Sequence, residues 1–273
     1  MATSPRPLDP AFYALDEDES HIFAVQEEAY KICPYPCIRR FAFTKTYISR
    51  YPCYQDFLKL GKEREKAIYA DIGCCVGNDP RKAVTDGYPV NQVLASDLRP
   101  EFWDLGHKLF KSTPGTFPAR FIPADIFQLK GLPKKEAVPV PELSQVQSIG
   151  ELSGNISAIH TSALFHLFDE EGQFELAKIM ATLLSSESGS MIFGSHGGRP
   201  VKGIRFEVAP GDQRTVNMFC HSPESWRSLW DGEVFPRGSV RVDVSLQEVE
   251  RRDMIVLDSG AKQYLLVWCI TVL

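Results

Sequence analysis

The chain has no long apolar run. The longest, Tyr264 to Leu273, is about half of what a bilayer span needs. The opening MATSPRPLDP has no apolar core of the signal-peptide kind, so a soluble, cytoplasmic protein without a membrane span is expected. There is no dense basic stretch either. Lys and Arg number 30 against 35 Asp and Glu in 273 residues, a formal charge of −5. That balance argues against a phosphate backbone as main partner, and no nucleic acid is expected. The seven cysteines, at 33, 37, 53, 74, 75, 220 and 269, form no CxxC pair and no Cys/His cluster of zinc-site spacing. No metal is expected, and the thiols read as reduced packing residues of an intracellular protein. Internal repeats and low-complexity tracts are also missing.

What is present is ordinary globular composition, 44% hydrophobic and 24% charged, enough for one large domain or two small ones. Residues 1–10 carry three prolines and read as a loose arm. Asp16 to Lys31 reads as a helix with carboxylates at its positive end. Cys33 to Tyr54 is broken by Pro34, Pro36 and Pro52 and dense in aromatics. From Ala67 the pattern turns regular. Strands are expected at Ala67–Ile72, Gln92–Ser96, Ala119–Pro123, Ile156–His160 and Ser190–Gly194, with helices at Asp79–Asp86, Glu101–Lys111 and Glu170–Leu184 between them. This alternation implies an α/β fold with a parallel sheet whose ligand crevice lies at the carboxyl ends of the strands. Later, Ser222-Pro223-Glu224 opens a helix to Trp230. Val240, Val242, Val244 and Leu246 then alternate with polar residues, and Tyr264 to Leu273 is continuously apolar. The short connection between these two strands implies an antiparallel pair, one strand at the edge and one buried. The boundaries expected are 1–66, an arm and helical cap, and 67–273, the ligand-binding unit of a single domain.

The sharpest motif is ADIGCCVGNDPRK, Ala70 to Lys82, between a strand and a helix. Gly73 and Gly77 make a turn that backbone can use to approach a ligand, and the following helix directs its amides at the same point. The spacing Asp71-x-Gly73-x-x-x-Gly77 lacks the middle glycine of a dinucleotide loop, where Cys75 stands. Asp71 beside the turn disfavours a pyrophosphate and favours a cation. Asp97 ends the second strand and Asp125 the third, on the same sheet edge. Asp97 follows Gly77 by 20 residues, the distance at which an acid commonly meets a ribose diol. A glycine turn, a diol acceptor, a further acid for an exocyclic amine and no phosphate-binding lysine suit S-adenosylmethionine, whose ammonium and sulfonium favour an acidic rim.

On these residues the sequence resembles the class I S-adenosylmethionine-dependent methyltransferases. "YPCIRRFAF", "DIGCCVGNDPRK", "SDLRPEFWDLGHKLF" and "FHLFDEEGQFELA" look more narrowly like fungal methyltransferases of meroterpenoid and related secondary-metabolite pathways. The resemblance implies a Rossmann-like seven-stranded sheet with its last strand antiparallel, a helical N-terminal cap and a small apolar acceptor. It also implies that Asp71, Gly73 and Gly77 hold the methionine end, with Cys74 and Asp79 beside them. Asp97 would take the ribose diol and Leu98 one face of the adenine. Asp125 would accept from the adenine amine with Ile126 next to it, and His160 would pack near the sulfonium.

Methyl transfer gains most from holding donor and acceptor together in a dry pocket, so a base is optional. His166 and His196, read as lying at the rim of the fourth and fifth strands, are the candidates for a base or an acceptor-orienting group. Arg199, with Arg205 behind it, is the candidate grip for an acceptor carboxylate. Gly197 to Ser222 reads as a lid, with Phe206, Met218, Phe219 and Trp226 as possible apolar lining. The function expected is O-methylation of a carboxylate or hydroxyl on a small apolar secondary metabolite. The competing readings are a nicotinamide oxidoreductase and a non-catalytic S-adenosylmethionine-binding partner protein. A homodimer is left open.

Overall fold

A computed structural model describes residues 20–39, 41–135, 142–208, 215–249, 255–257 and 262–273. The first five sheet strands are β1 (Ile68–Ile72), β2 (Val93–Ser96), β3 (Arg120–Phe121), β4 (Ile156–Ser162) and β5 (Met191–Gly198). A small sheet follows from β6 (Gly203–Val208), β7 (Thr215–Cys220) and β9 (Ile255–Val256). The large sheet is completed by β8 (Val240–Val249) and β10 (Gln263–Val272). Its order is β3-β2-β1-β4-β5-β10-β8. β1 to β5 run parallel, whereas β10 is antiparallel to both β5 and β8. The expected final pair is therefore present, with β8 at the edge and alternating in burial, and β10 inside.

The helices are α1 (Ser20–Ile32), α2 (Pro36–Arg39), α3 (Tyr54–Glu63), α4 (Asn78–Thr85), α5 (Pro100–Leu109), α6 (Glu170–Leu183) and α7 (Pro223–Trp230). β1 is buried along its whole length because helices cover both faces. One face carries Ile68, Ala70, Ile159, Ile192, Leu266, Trp268 and Ile270 against Leu176 and Met180 of α6 and Trp226 and Trp230 of α7. The other carries Tyr69, Ala158, Met191, Phe193 and Val267 against Phe57 and Leu58 of α3 and Ala83 of α4. α1 buries Ile22, Val25 and Ala29 against Phe102, Leu105 and Leu109 of α5 and Val76 of the glycine turn. Ser222 caps α7 as expected, accepting from Ser225 N–H. Residues 16–19 of the expected first helix lie outside the described residues. Among the described residues no helix is long and apolar enough to cross a membrane.

Two expectations need correction. The third strand shrinks to two residues, and the fifth runs on to Gly198. The added residues, Ser195 to Gly198, pair with Val267 to Tyr264 of β10, and at Gly194 a Cβ would sit 1.7 Å from the Thr161 carbonyl oxygen of β4. The segment expected to form a lid carries the β6–β7 hairpin, extended by β9.

Candidate functional site

The turn after β1 places Gly73 and Gly77 at φ of 78° and 73°. The N–H groups of Gly73 and Cys74 both donate to the Ser96 carbonyl, at 2.9 and 3.0 Å, which ties the turn to the end of β2. Cys75 has φ 51°, a left-handed conformation that costs an L-residue roughly 1–2 kcal/mol. Cys75→Gly is expected to raise stability by up to about 1 kcal/mol after the added chain entropy of glycine is subtracted, as read by denaturant unfolding. The Cys74 side chain packs beneath the turn with Ala95, Trp103 and Phe117.

Asp97 lies at the tip of β2. Its Oδ2 accepts from Cys75 N–H at 2.8 Å and its Oδ1 from Arg99 N–H at 3.0 Å. A carboxylate has about four lone-pair sites, so capacity for a diol remains. Burial pushes its carboxyl above the usual range, the two N–H bonds pull it back, and the Asp71 charge adds to the rise. Leu98 beside it is 58% exposed, an open apolar surface on the rim. Asp125 is exposed and caps a short turn, accepting from Phe127 N–H at 3.0 Å, while Ile126 turns into the core.

Asp71 and His160 meet inside the sheet, paired in register on β1 and β4. His160 Nδ1–H donates to Asp71 Oδ1 at 2.9 Å. Burial opposes a charge on His160, but Asp71 and then Asp79 outweigh it and raise the imidazole above the usual histidine range. Asp79, at the start of α4, accepts from Tyr47 N–H at 2.7 Å and Ile48 N–H at 3.0 Å. Burial raises its carboxyl, and Asp71 adds to the rise. Asn78 next to it donates to the carbonyls of Phe43 and Lys45. The N-terminal segment is thus stitched to the loop that follows β1.

His166 and His196 come close enough for the charge of His166 to bear on His196, but the two sit in different settings. His166 lies half-buried in a short turn, Phe165–Leu167, after β4. His196 lies within β5, enclosed by Phe165, Trp226 and Trp268. Its Nδ1 accepts from Trp268 Nε1–H at 3.0 Å. Burial drives its pKa well below the ordinary value, so it stays neutral. His196 shares the α6–α7 core, whereas His160 stacks on Phe193 of the opposite face. Strand alternation separates them. Arg199 donates to the Ile204 carbonyl, and its own N–H to the His221 carbonyl. Arg205 is buried in an ion pair with Glu207 at 2.8 Å, so its guanidinium grips this chain. Of the expected lining, Trp226 is buried in the core and Phe206 is exposed.

His221 packs edge-on against Trp226. Burial lowers its pKa to about 4. Its folded pKa is depressed, so the unfolded chain binds the extra proton. Stability is therefore expected to fall by about 1.4 kcal/mol per unit as pH drops from about 6.5 toward 4. His221→Gln should flatten that slope in urea titrations by the same amount.

Sequence reasoning missed three groups. Tyr51 Oη, from the N-terminal segment, bonds Ser162 Oγ and lies 2.9 Å from Ser195 Oγ. His160 Nε2 in turn lies 3.0 Å from Ser162 Oγ. The i, i+2 spacing of His160 and Ser162 on one strand face was the available signal; Tyr51 carried none.

A parallel sheet in this order with only its last strand reversed, a glycine turn after β1 and acids closing β2 and β3 make up the class I methyltransferase arrangement. Comparison with known proteins agrees. The family described as the meroterpenoid methyltransferase N-terminal domain matches residues 14–44. The asnovolin E/chermesin D methyltransferase of Aspergillus novofumigatus is 31% identical over 251 residues, 92% of this chain and 81% of that one. The methyltransferase ausD of Penicillium brasilianum is 30% identical over 234 residues, 86% and 76% of the two chains. The O-methyltransferase phiE of a fungal species is 29% identical over 232 residues, 85% and 70%. The chain belongs to the fungal meroterpenoid methyltransferases.

Proposed function

We propose that this protein transfers a methyl group from S-adenosylmethionine to an oxygen, carboxylate or hydroxyl, of a small apolar secondary metabolite of the polyketide-terpenoid kind. The observation that carries the reading is the concentration of carboxylates around one glycine turn. Asp71 lies buried there, and burial raises both Asp79 and Asp97, each further raised by the charge of Asp71. Among the described residues His160 is one imidazole set against three such carboxyls, and a sulfonium with an ammonium supplies two further positive charges. The names of the relatives support the acceptor class, and one of them is an O-methyltransferase.

In this reading the turn from Gly73 to Gly77 holds the methionine end. Asp97 takes the ribose diol, Leu98 lies against the adenine, and Asp125 accepts from its amine. Asp79 acts at one remove by fixing residues 47 and 48. The bound cofactor supplies an activated methyl group on a positively charged sulfur. The chain aligns the acceptor oxygen with it and keeps water away, which is where most of the acceleration arises.

Two experiments test this. Calorimetric titration should show binding of S-adenosylmethionine and none of NAD; the reverse would overturn the reading. Incubation with methyl-13C-labelled S-adenosylmethionine and an apolar extract of a meroterpenoid-producing fungus should yield carbon shifts of O-methyl groups. Label appearing in C-methyl or N-methyl groups alone would refute oxygen as the acceptor.

A further inference from the structure

Five side chains from four parts of the chain form one continuous line of hydrogen bonds. It runs from Ser195 on β5 to Tyr51 of the N-terminal segment, to Ser162 and His160 on β4, and to Asp71 on β1. Asp71, His160, Tyr51 and Ser195 are 3%, 1%, 6% and 4% exposed. Ser162, at the carboxyl end of β4, is half-buried, so the line opens at that residue. The residue after it, Ala163, is held at φ 56° with its N–H on the Ser195 carbonyl at 2.8 Å, which fixes the opening. Strain of this kind in a non-glycine residue persists only where the surroundings impose it.

The direction of the line follows from its ends. Asp71 only accepts, so His160 Nδ1 carries a hydrogen and, in the neutral ring, Nε2 accepts from Ser162 O–H. Ser162 then accepts from Tyr51 O–H, and Tyr51 from Ser195 O–H. Every donor points toward Asp71. A proton added to His160 Nε2 reverses the donors from His160 outward. Such a line passes a proton without moving a heavy atom.

We propose that this line is a proton relay that opens at Ser162 and takes up the proton lost by the acceptor oxygen as it is methylated. It rests on the cofactor reading above. The acceptor then arrives with its oxygen protonated, as a hydroxyl or as a carboxyl kept neutral by its apolar surroundings. Its oxygen forms the new bond to the methyl carbon, and the carbon–sulfur bond breaks with its electron pair left on sulfur. The acceptor's proton moves to Ser162 Oγ while the proton of Ser162 moves to His160 Nε2. One positive charge disappears at sulfur and one appears on His160 beside Asp71, so the buried site keeps its net charge. The groups that face His160 favour this outcome from each side: Asp71 from β1, Asp79 from α4, and the Tyr51 hydroxyl. Burial opposes the charge, and the two carboxylates outweigh it.

The relay predicts a difference between two ligands that needs no acceptor. S-adenosylmethionine brings a sulfonium charge toward His160 and should hold it neutral, whereas S-adenosylhomocysteine brings none. Calorimetry of both ligands with the full chain near neutral pH, in buffers of different ionisation enthalpy, counts the protons exchanged. S-adenosylmethionine should release more, by on the order of half a proton per site, and His160→Gln should abolish the difference. Nitrogen NMR of 15N-histidine-labelled wild-type protein reads the same event without a variant. His160 Nε2 should be unprotonated with S-adenosylmethionine and protonated with S-adenosylhomocysteine at one pH, and its shift should move in Ser162→Ala and Tyr51→Phe. Equal proton counts with an identical Nε2 state in both complexes would overturn the relay. An Nε2 shift indifferent to Ser162→Ala and Tyr51→Phe would overturn the path through Ser162. Binding of neither ligand would instead overturn the cofactor reading, and the relay with it.

Discussion

His160→Leu is expected to destabilise the protein by about 3–5 kcal/mol, the cost of removing one partner from a buried charged pair. The carboxylate of Asp71 would remain fully enclosed without its donor at 2.9 Å. Asp79 would lose the charge that does most to lower its carboxyl while still feeling Asp71. Two enclosed acids would then face each other, and the side chain best able to neutralise them would be gone. Adding Asp71→Asn to His160→Leu should therefore recover part of the loss, a coupling that urea unfolding of the two singles and the double would expose. Strictly additive losses would mean that the pair does not act as a unit. The wild-type pair also has a pH signature. Because the folded His160 pKa is raised, its stabilisation is full below about pH 6.5 and is lost as pH rises through the folded value. This is opposite in sign to the effect of His221.

The second large effect concerns the floor of the glycine turn. A Cβ on Gly106 of α5 would sit 2.1 Å from the Val76 carbonyl oxygen, a backbone atom with no rotamer to yield. The same oxygen accepts from Arg81 at 3.0 Å, and the Arg81 guanidinium is stacked among Trp103, Phe110 and Phe117. Gly106→Ala must push α5 and the turn apart, at about 1–3 kcal/mol of stability by the usual cost of overpacking. Because Val76 lies between Gly73 and Gly77, the displacement falls on the ligand loop itself. Affinity for S-adenosylmethionine is expected to drop about tenfold, the equivalent of roughly 1.4 kcal/mol, in a folded sample at low temperature. An unchanged affinity alongside a lowered melting point would show that the turn tolerates the shift.

The features legible in the sequence were those written in local patterns. Strand–helix alternation gave the parallel sheet, Asp71, Asp97 and Asp125 marked its carboxyl edge, and Ser222 announced its helix through capping chemistry. What escaped depended on contacts across the fold. The expected fifth strand stopped at Gly194, and it is the pairing of Ser195 to Gly198 with β10, a contact across the fold, that carries it on. The β6–β7 hairpin turns Arg205 and Glu207 inward and Ile204 and Phe206 outward, the reverse of what polarity suggests, because the two charges satisfy each other. His196 looked like a rim residue since strand alternation could not be phased until β5 was known to extend through it. Tyr51 sat in a proline-broken aromatic stretch where nothing local distinguishes the ring that reaches the sheet.

The central claim is that the glycine turn and the acid at the tip of β2 hold S-adenosylmethionine. It is tested most directly by titrating that ligand into the wild-type protein, Asp97→Asn and Asp97→Ala. The asparagine variant keeps one oxygen, enough for either Cys75 N–H or Arg99 N–H, and sets an NH2 against the other, so it loses the charge offered to a diol together with one of the two turn bonds. Binding is expected in the wild type, weakened about 10–100-fold in both variants, as loss of a hydrogen bond to a charged group of about 1.5–3 kcal/mol requires. Full affinity in both variants would place the ligand elsewhere and contradict the account.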